Sequence, residues 1–293
     1  MTDSPVTLPA LDALACPNCA GPLTQADRRL SCPDGHSFDL AKQGYAPLLA
    51  PGSNTTTGDT ADQIAAREDF LDSGVYDPLM AAVATASLTD APGVFVEPGC
   101  GTGHYLAVAL AADPSREGIG LDTSKYALRR CAKRTVPGSE PGAGPRPRIA
   151  AVLADAWQRL PIRDGAAAAV LNVFAPRNAE EIARVLDPQG ALVVLTPRQD
   201  HLRELVGTLD MLSVDPEKEQ RTADQLGTLF EAERTDEVVY SIDLGHNEVL
   251  RLVGMGPSAR HLDAAALAAT VAALPERIEV QVAANVTRWR KKH

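Results

Sequence analysis

Long apolar runs are missing from this 293-residue chain. No window approaches the roughly 18 apolar residues that a membrane helix needs, so a helical anchor is not expected. The opening "MTDSPVTLPALDA" has acids, no basic leader and no continuous apolar core, unlike a secretory signal. Both absences point to a cytoplasmic protein. Aromatic residues are scarce at 4%, yet 45% of the chain is apolar and 23% charged, enough to bury a sizeable core. The length suits two unequal domains. No internal repeat is visible.

Surplus basic charge is also lacking. The formal net charge is −10, which argues against a protein that attracts nucleic acid by its overall field. The imbalance is uneven, however. From Arg116 to Arg163 ten Lys/Arg face four Asp/Glu, whereas from His201 to Glu248 twelve acids face four bases. The final "RWRKKH" is basic again. Either a basic face on an acidic protein or ordinary solvated helix surfaces would produce this pattern.

Cysteine is sparse, with five in all, and three of them fall in "CPNCAGPLTQADRRLSCPDGHSFD" at 16–39. Three thiols cannot all pair as disulfides, and a reducing cytoplasm disfavours such pairs. Cys16 and Cys19 form one knuckle; Cys32 and His36 form a second. Together the four offer a closed, tetrahedral Cys₃His set of the kind that holds structural zinc. A redox C-x-x-C and a chance cluster are the competing readings. Some fifty residues hold little core of their own, so a metal would supply much of the module's folding energy. Cys100 and Cys131 are expected to be buried thiols.

Three regions follow: a metal-binding module over 1–50, a linker with inter-domain helices over 51–90, and a larger domain over 91–293. "PGSNTTTGDTAD" (51–62) reads as a linker. "DQIAAREDFLDSG" reads as a helix capped by Asp62 and stopping near Gly74. Thereafter short apolar runs, "GVFVEPG", "GIGLD", "RIAAVLAD", "AAAVLNVF" and "ALVVLTP", alternate with helical segments. That order implies an α/β fold with a parallel sheet covered on both faces. "EVVYSIDL" (237–244) and "RIEVQVAANVTRW" (277–289) alternate with period two, as antiparallel edge strands would.

The segment "VFVEPGCGTGHY" carries the chemistry of the larger domain. Gly99, Gly101 and Gly103 let the backbone turn sharply and approach a ligand closely before a helix begins. The spacing, with an acid two residues ahead, resembles the E/D-x-G-x-G-x-G loop of class I S-adenosylmethionine (SAM) methyltransferases rather than a pyrophosphate fingerprint. Asp122, at the end of the next strand, suits the two ribose hydroxyls of an adenosyl group. Asp155, closing the third strand, suits the adenine amino group. Each aspartate alone is as readily a cap or turn former.

Zinc module, linker and glycine loop in this order resemble the RlmA/TlrB-type 23S rRNA (guanine-N1)-methyltransferase family. The likeness is carried by "CPNCAGPL" with "CPDGHSFDLAKQGY", by "AREDFLDSGVYDPL", by "GLDTSKYALRRCAKR" and by "FAPRNAEEIARVLDPQGALVVLTPRQDHLREL". It implies a class I SAM-dependent fold, Rossmann-like with a seven-stranded sheet, behind the zinc module. It also implies methylation of guanosine N1 in a 23S rRNA hairpin, with a role in macrolide (tylosin) resistance and a homodimer as further possibilities of the family. By the same resemblance zinc falls on Cys16, Cys19, Cys32 and His36, and Tyr76, Gly101, Thr102 and His201 touch the cofactor.

Three departures stand out. Glu97 to Gly103 read E-P-G-C-G-T-G where the family has D-I-G-C-G-E-G. The "MTPxxWR" element appears as "MGPSARH" (255–261), and "APC" appears as Ala175-Pro176-Arg177. No catalytic base is assigned; Asn172 in "NVFAPR" is either a positioning residue or a strand-end cap. Arg28, Arg29 and Lys42 are the module's only basic residues, so Arg129, Arg130, Lys133 and Arg134 are expected to share the phosphate contacts. A small-molecule SAM methyltransferase and a non-catalytic SAM- or RNA-binding regulator are the rival functions.

Overall fold

The structure is a computed structural model and describes residues 7–54, 58–137, 147–209, 223–256 and 263–292. Its centre is an eight-stranded sheet. The strands are β4 (Ala46–Pro47), β5 (Val94–Pro98), β6 (Gly118–Asp122), β7 (Ile149–Leu153), β8 (Ala167–Val173), β9 (Leu186–Pro197), β10 (Phe230–Gly245) and β11 (Arg277–Lys291). They lie in the order β10-β11-β9-β8-β5-β6-β7-β4. From β4 to β9 neighbours run parallel, whereas β11 pairs antiparallel with both β9 and β10. The expected seven strands are present. The eighth, β4, comes from the tail of the N-terminal module and pairs with β7 through Ala46 and Pro47.

All seven residues of β8 are buried, because the sheet has a core on each face. Phe95, Ala169, Leu171 and Val193 point into one; Val96, Val170, Leu192 and Val194 point into the other. Successive side chains of a strand alternate sides, so continuous apolar runs were needed to fill both cores. The first core takes in α1 (Ala61–Asp72) through Phe70, α2 (Asp77–Ser87) through Leu79 and Val83, and α3 (His104–Ala112) through Leu106 and Leu110. The second takes in Leu14, Leu30 and Leu48 of the N-terminal module. Phe95 and Leu14 are fully shielded, and each such side chain contributes on the order of 2 kcal/mol of burial.

Two expectations about α1 and the C-terminal strands change. Thr60, not Asp62, caps α1: its side chain accepts from the Gln63 amide, and the Gln63 side chain reaches back to the Thr60 amide. That reciprocal capping box satisfies two otherwise orphaned donors, which Asp62, already inside the first turn, cannot do. Of the two period-two strands only β10 is an edge; β11 is interior. Between them lie α7 (His246–Gly254) and α8 (Ala264–Ala272). Among the described residues no helix is long and apolar enough to cross a membrane.

The chain passes from β5 to β6 and β7 in one direction and then returns to β8 and β9 on the other side of β5. The C-terminal ends of β5 and β8 therefore flank a crevice at the point where strand order reverses. Open parallel sheets bind their ligands at that position.

Candidate cofactor and zinc sites

In the N-terminal module the first knuckle precedes a three-stranded antiparallel sheet, β1 (Thr24–Ala26), β2 (Arg29–Ser31) and β3 (Ser37–Asp39), and the second joins β2 to β3. In the first, the Cys16 amide donates to Gly21 O at 2.8 Å, while the Ala20 amide donates to Cys16 O at 2.8 Å. In the second, the Cys32 amide donates to His36 O and the Gly35 amide to Cys32 O, both at 3.0 Å, with Gly35 at φ 84°. These turns converge the ligand atoms of Cys16, Cys19, Cys32 and His36 to within 4.8 Å of one another. Cys19 Sγ lies 3.6 Å from Cys32 Sγ, and His36 Nδ1 lies 3.6 Å and 3.3 Å from the sulfurs of Cys16 and Cys32. Ligands at about 2.0–2.3 Å from a tetrahedral zinc ion are separated by about 3.3–3.8 Å, so the cluster has the dimensions of an occupied site. Burial pushes the Cys32 thiol up, but hydrogen bonds from His36, Cys19 and nearby amides outweigh it and bring the group down to about 7.

The glycine loop leaves β5 with Gly99, Gly101 and Gly103 at φ 73°, 53° and 78°, a region that side-chain-bearing residues avoid. The Gly99 and Cys100 amides donate to Leu121 O, which ties the loop to β6. A Cβ on Gly103 would stand 2.9 Å from Cys131 Sγ, and one on Gly99 would stand 3.0 Å from the Ala175 Cβ. Bare backbone keeps the crevice open. Cys100 and Cys131 are buried and free, as expected.

Asp122 sits directly against this loop. Its carboxylate accepts from the Gly101 amide at 2.9 Å and from the Ser124 amide at 2.7 Å. Each oxygen keeps a further lone pair, so the residue can clamp the loop and still accept from two vicinal hydroxyls. Burial pushes its carboxyl up, opposed by the Ser124 and Gly101 amides and the charge of Arg67. Arg67 of α1 reaches over the loop: a Cβ on Gly101 would meet its Nη1 at 3.2 Å, and the guanidinium pairs with Asp59 at 2.6 Å. It also donates to Met255 O at 2.9 Å. The rest of the MGPSARH element, 257–261, lies outside the described residues.

Tyr76, His201 and Phe174 gather at the β8 side. Ala283 N donates to His201 Nδ1 at 3.2 Å, so the neutral ring carries its proton on Nε2, 3.5 Å from Tyr76 Oη. Tyr76 is buried and its hydroxyl is held above its ordinary pKa by that burial, with the Tyr240 phenol adding to it. Phe174, whose ring centroid is 6.2 Å from that of His201, is exposed and has φ 47°. An exposed aromatic in strained backbone at a crevice marks a residue placed for use rather than for packing. Tyr105 Oη is buried without a hydrogen-bond partner.

Thr102 and Asp155 stand differently. The Thr102 side chain is buried and turned to His104 Nδ1 at 2.7 Å, in a chain continued by His104 Nε2 and Asp72 at 2.8 Å. Burial holds His104 below its ordinary pKa, so this is a neutral support beneath the loop. Asp155 accepts from the amides of Asn54 and Trp157, both at 3.0 Å, which makes it first a clamp on the approaching segment. Asn172 is fully buried: its Nδ2 donates to Pro176 O at 2.8 Å, while its Oδ1 has no partner. An orphaned acceptor costs about 1–3 kcal/mol, and a substrate or cofactor N–H would relieve it. Sequence reasoning missed Arg67, Tyr105, His104 and Phe174, because each acquires its place through contacts distant in the chain.

The acid ahead of the loop, Glu97, is buried and accepts from the Leu106 amide at 3.1 Å, capping α3 from below. Burial holds its carboxyl well above the ordinary 4.5. The folded state therefore binds a proton that the unfolded chain releases, and stability falls as pH rises from about 4.5 toward the folded-state pKa. Glu97→Gln keeps the acceptor and removes the ionisation. Its melting temperature, followed calorimetrically across pH 5–8, is expected to gain on the parent as pH rises. A difference that shrinks with pH would contradict a protonated Glu97.

Of the cationic residues, Arg29 pairs with Asp39, and Arg28 donates to the carbonyls of Leu40 and Ala41. Arg130 pairs with Glu68, and Arg134 with Glu68 and Asp72. Arg129 lies over Tyr126 at 5.5 Å. Lys42 and Lys133 make no ion pair among the described residues.

Residues 14–52 match the zinc-ribbon family described as "RlmA, N-terminal", and residues 96–194 match a methyltransferase domain family. With the sheet order, the glycine loop and Asp122, these define a class I SAM-dependent methyltransferase carrying a structural zinc ribbon. A Micromonospora griseorubida protein named as a 23S rRNA (guanine-N1)-methyltransferase is 46% identical over 300 residues, covering 96% of this chain and 98% of the relative. The Streptomyces fradiae 23S rRNA (guanine(748)-N1)-methyltransferase is 45% identical over 278 residues, covering 94% and 95%. The chain belongs to the 23S rRNA (guanine-N1)-methyltransferase family.

Proposed function

We propose that this enzyme transfers a methyl group from SAM to N1 of a guanosine in a 23S rRNA hairpin, working in the cytoplasm. What carries this reading is end-to-end identity of 45–46% with proteins named for that reaction. The zinc cluster and glycine loop, both intact here, support it. Thiols gathered on one point rather than paired suit a reducing compartment. We assign residues 1–50 to RNA engagement, 51–90 to the connection, and 91–293 to the reaction. A homodimer is compatible with this assignment.

SAM, when bound, supplies a methyl group on a positively charged sulfonium. Asp122 and the backbone of Gly99, Gly101 and Gly103 would hold its adenosyl part, Asp155 its adenine edge, and Tyr76 and His201 its other end. The protein's own work is to hold the guanine N1 in line and keep water out. Phe174 offers a ring face on which an unstacked base can lie. Guanine N1 bears a proton that must leave. Tyr76 stays neutral at physiological pH and so serves as a hydrogen-bonding group, not a base. Asn172 Oδ1 is the acceptor with an empty valence beside this crevice, and we assign it to a substrate N–H.

Tritiated SAM incubated with a transcript of the 23S rRNA hairpin bearing guanine 748 provides the test. After nuclease digestion the label is expected in 1-methylguanosine, with a reverse-transcription stop at the modified base. Label in a metabolite, in another base, or in neither would sink the proposal.

A further inference from the structure

Beyond the crevice, at the foot of the loop after β8, lies a cavity of about 420 Å³ lined by Trp157, Arg177, Asn178, Glu180, Gln225 and Thr228, among others. Its size falls within the range of about 300–1,000 Å³ typical of small-ligand sites. Trp157 is 62% exposed, the most exposed of the large apolar side chains. It is held in place rather than trailing: its amide donates to Asp155 at 3.0 Å, and its carbonyl accepts from Asn178 Nδ2 at 3.3 Å.

Arg177 is the second anomaly. It is half-buried, its Nε is shielded without a hydrogen-bond partner, and among the described residues it enters no ion pair, although Glu180 lines the same cavity. A partly desolvated guanidinium without a counter-ion gains from any anion that reaches it.

The rest of the surface makes this pairing more telling. Arg28, Arg29, Arg130 and Arg134 are already engaged within the protein. The residues just after Trp157 carry the zinc ribbon: Ala15 N donates to Pro161 O and Arg163 N to Ala13 O. Phe174 stands three residues before Arg177 on the loop that leaves β8. Two lining residues of the cavity, Trp157 and Arg177, thus follow Asp155 and Phe174 by two and three positions in the chain.

We infer that this cavity is a nucleotide subsite for single-stranded RNA, in which Trp157 stacks an unpaired base next to the target guanosine and Arg177 receives its phosphate. The inference rests on the proposed rRNA substrate. An indole face is a platform for any unstacked base, and a guanidinium forks onto phosphate oxygens. The occupant is a nucleotide within a strand, because Trp157 and Arg177 follow Asp155 and Phe174 of the crevice within two or three positions.

The full-length enzyme and the hairpin transcript of the previous section are the materials. The chain has two tryptophans, and Trp289 is buried, so iodide quenching of emission reports on Trp157. RNA is expected to abolish that quenching. Trp157→Ala and Arg177→Met should each weaken RNA binding by about tenfold, raising KM for RNA with little change in kcat or SAM affinity. Arg177→Met should also lower the slope of log affinity against log salt by about one. Because Arg177 is only half-buried, the variant should melt close to the parent temperature, which separates lost function from lost folding. Quenching that persists in the complex, or parental RNA affinity in both variants, would overturn the subsite while leaving the function standing. A parent enzyme that neither binds nor methylates the hairpin would remove both.

Discussion

Asp122→Ala is expected to weaken SAM binding by at least about a hundredfold and to leave the RNA affinity close to that of the parent. The carboxylate has two tasks. It accepts from Gly101 and Ser124 and so fixes the loop against α4 (Lys125–Cys131), and it offers its remaining lone pairs to the ribose. Hydrogen bonds to a charged acceptor are worth about 1.5–3 kcal/mol each, so losing two to the ligand costs at least about 3 kcal/mol and makes a hundredfold loss the lower bound. The loss of the loop clamp adds to it. Asp122→Asn separates the tasks, because an amide keeps one acceptor oxygen and turns the other position into a donor facing N–H groups. Calorimetric titration with SAM or its demethylated product checks both variants. A change of less than about fivefold in Asp122→Ala would contradict the assignment of Asp122 to the cofactor.

The second large effect is expected from the metal. Cys32→Ser removes a ligand that sits 3.6 Å from Cys19 Sγ and 3.3 Å from His36 Nδ1. Zinc-binding free energies of about 10–16 kcal/mol in small modules are folding free energies. The ribbon has few apolar residues to replace them, chiefly Leu14, Leu23, Leu30, Leu40 and Leu48. Zinc content, measured by atomic emission, should fall from one ion per chain to near zero, and RNA affinity should fall at least about tenfold. SAM affinity should stay within about threefold at low temperature, because Asp122 and the glycine loop are held by β5, β6 and α4. An equal collapse of both affinities would show that the two sites are not separable. Loss of zinc without loss of RNA binding would remove the ribbon from recognition.

The features legible in the sequence share a property: their physics is local. Cys16 with Cys19, Cys32 with His36, and the three glycines each act within a few residues, and their spacing alone restricts the chemistry. The alternating apolar runs were equally readable, because a strand buried on both faces has no polar side to disguise it. What escaped is non-local or a competition between similar residues. Thr60 and Asp62 are both good caps; the choice fell on Thr60 because Gln63 stands at the third helical position to close the box. Arg67 meets Met255 across 188 positions, and no periodicity announces that. Phe174 is an ordinary aromatic in its sequence, and only its backbone conformation and exposure set it apart. Arg177 looked like a departure from a motif, whereas the fold makes it a shielded cation without a partner.

The two-residue strand β4 has a consequence for how the sheet ends. Parallel strand β7 would otherwise form the end of the sheet, with a row of unpaired amides and carbonyls open to any extended chain. Ala46 and Pro47 cover it, and a proline on the outermost strand offers no amide for further pairing. That guard is anchored in the core of the sheet: Ala46 and Leu48 are fully buried, and the Leu48 amide donates to Leu153 O at 3.1 Å. The parallel sheet that positions the glycine loop and Asp122 is thus closed at its rim by a segment borrowed from the zinc-ribbon module.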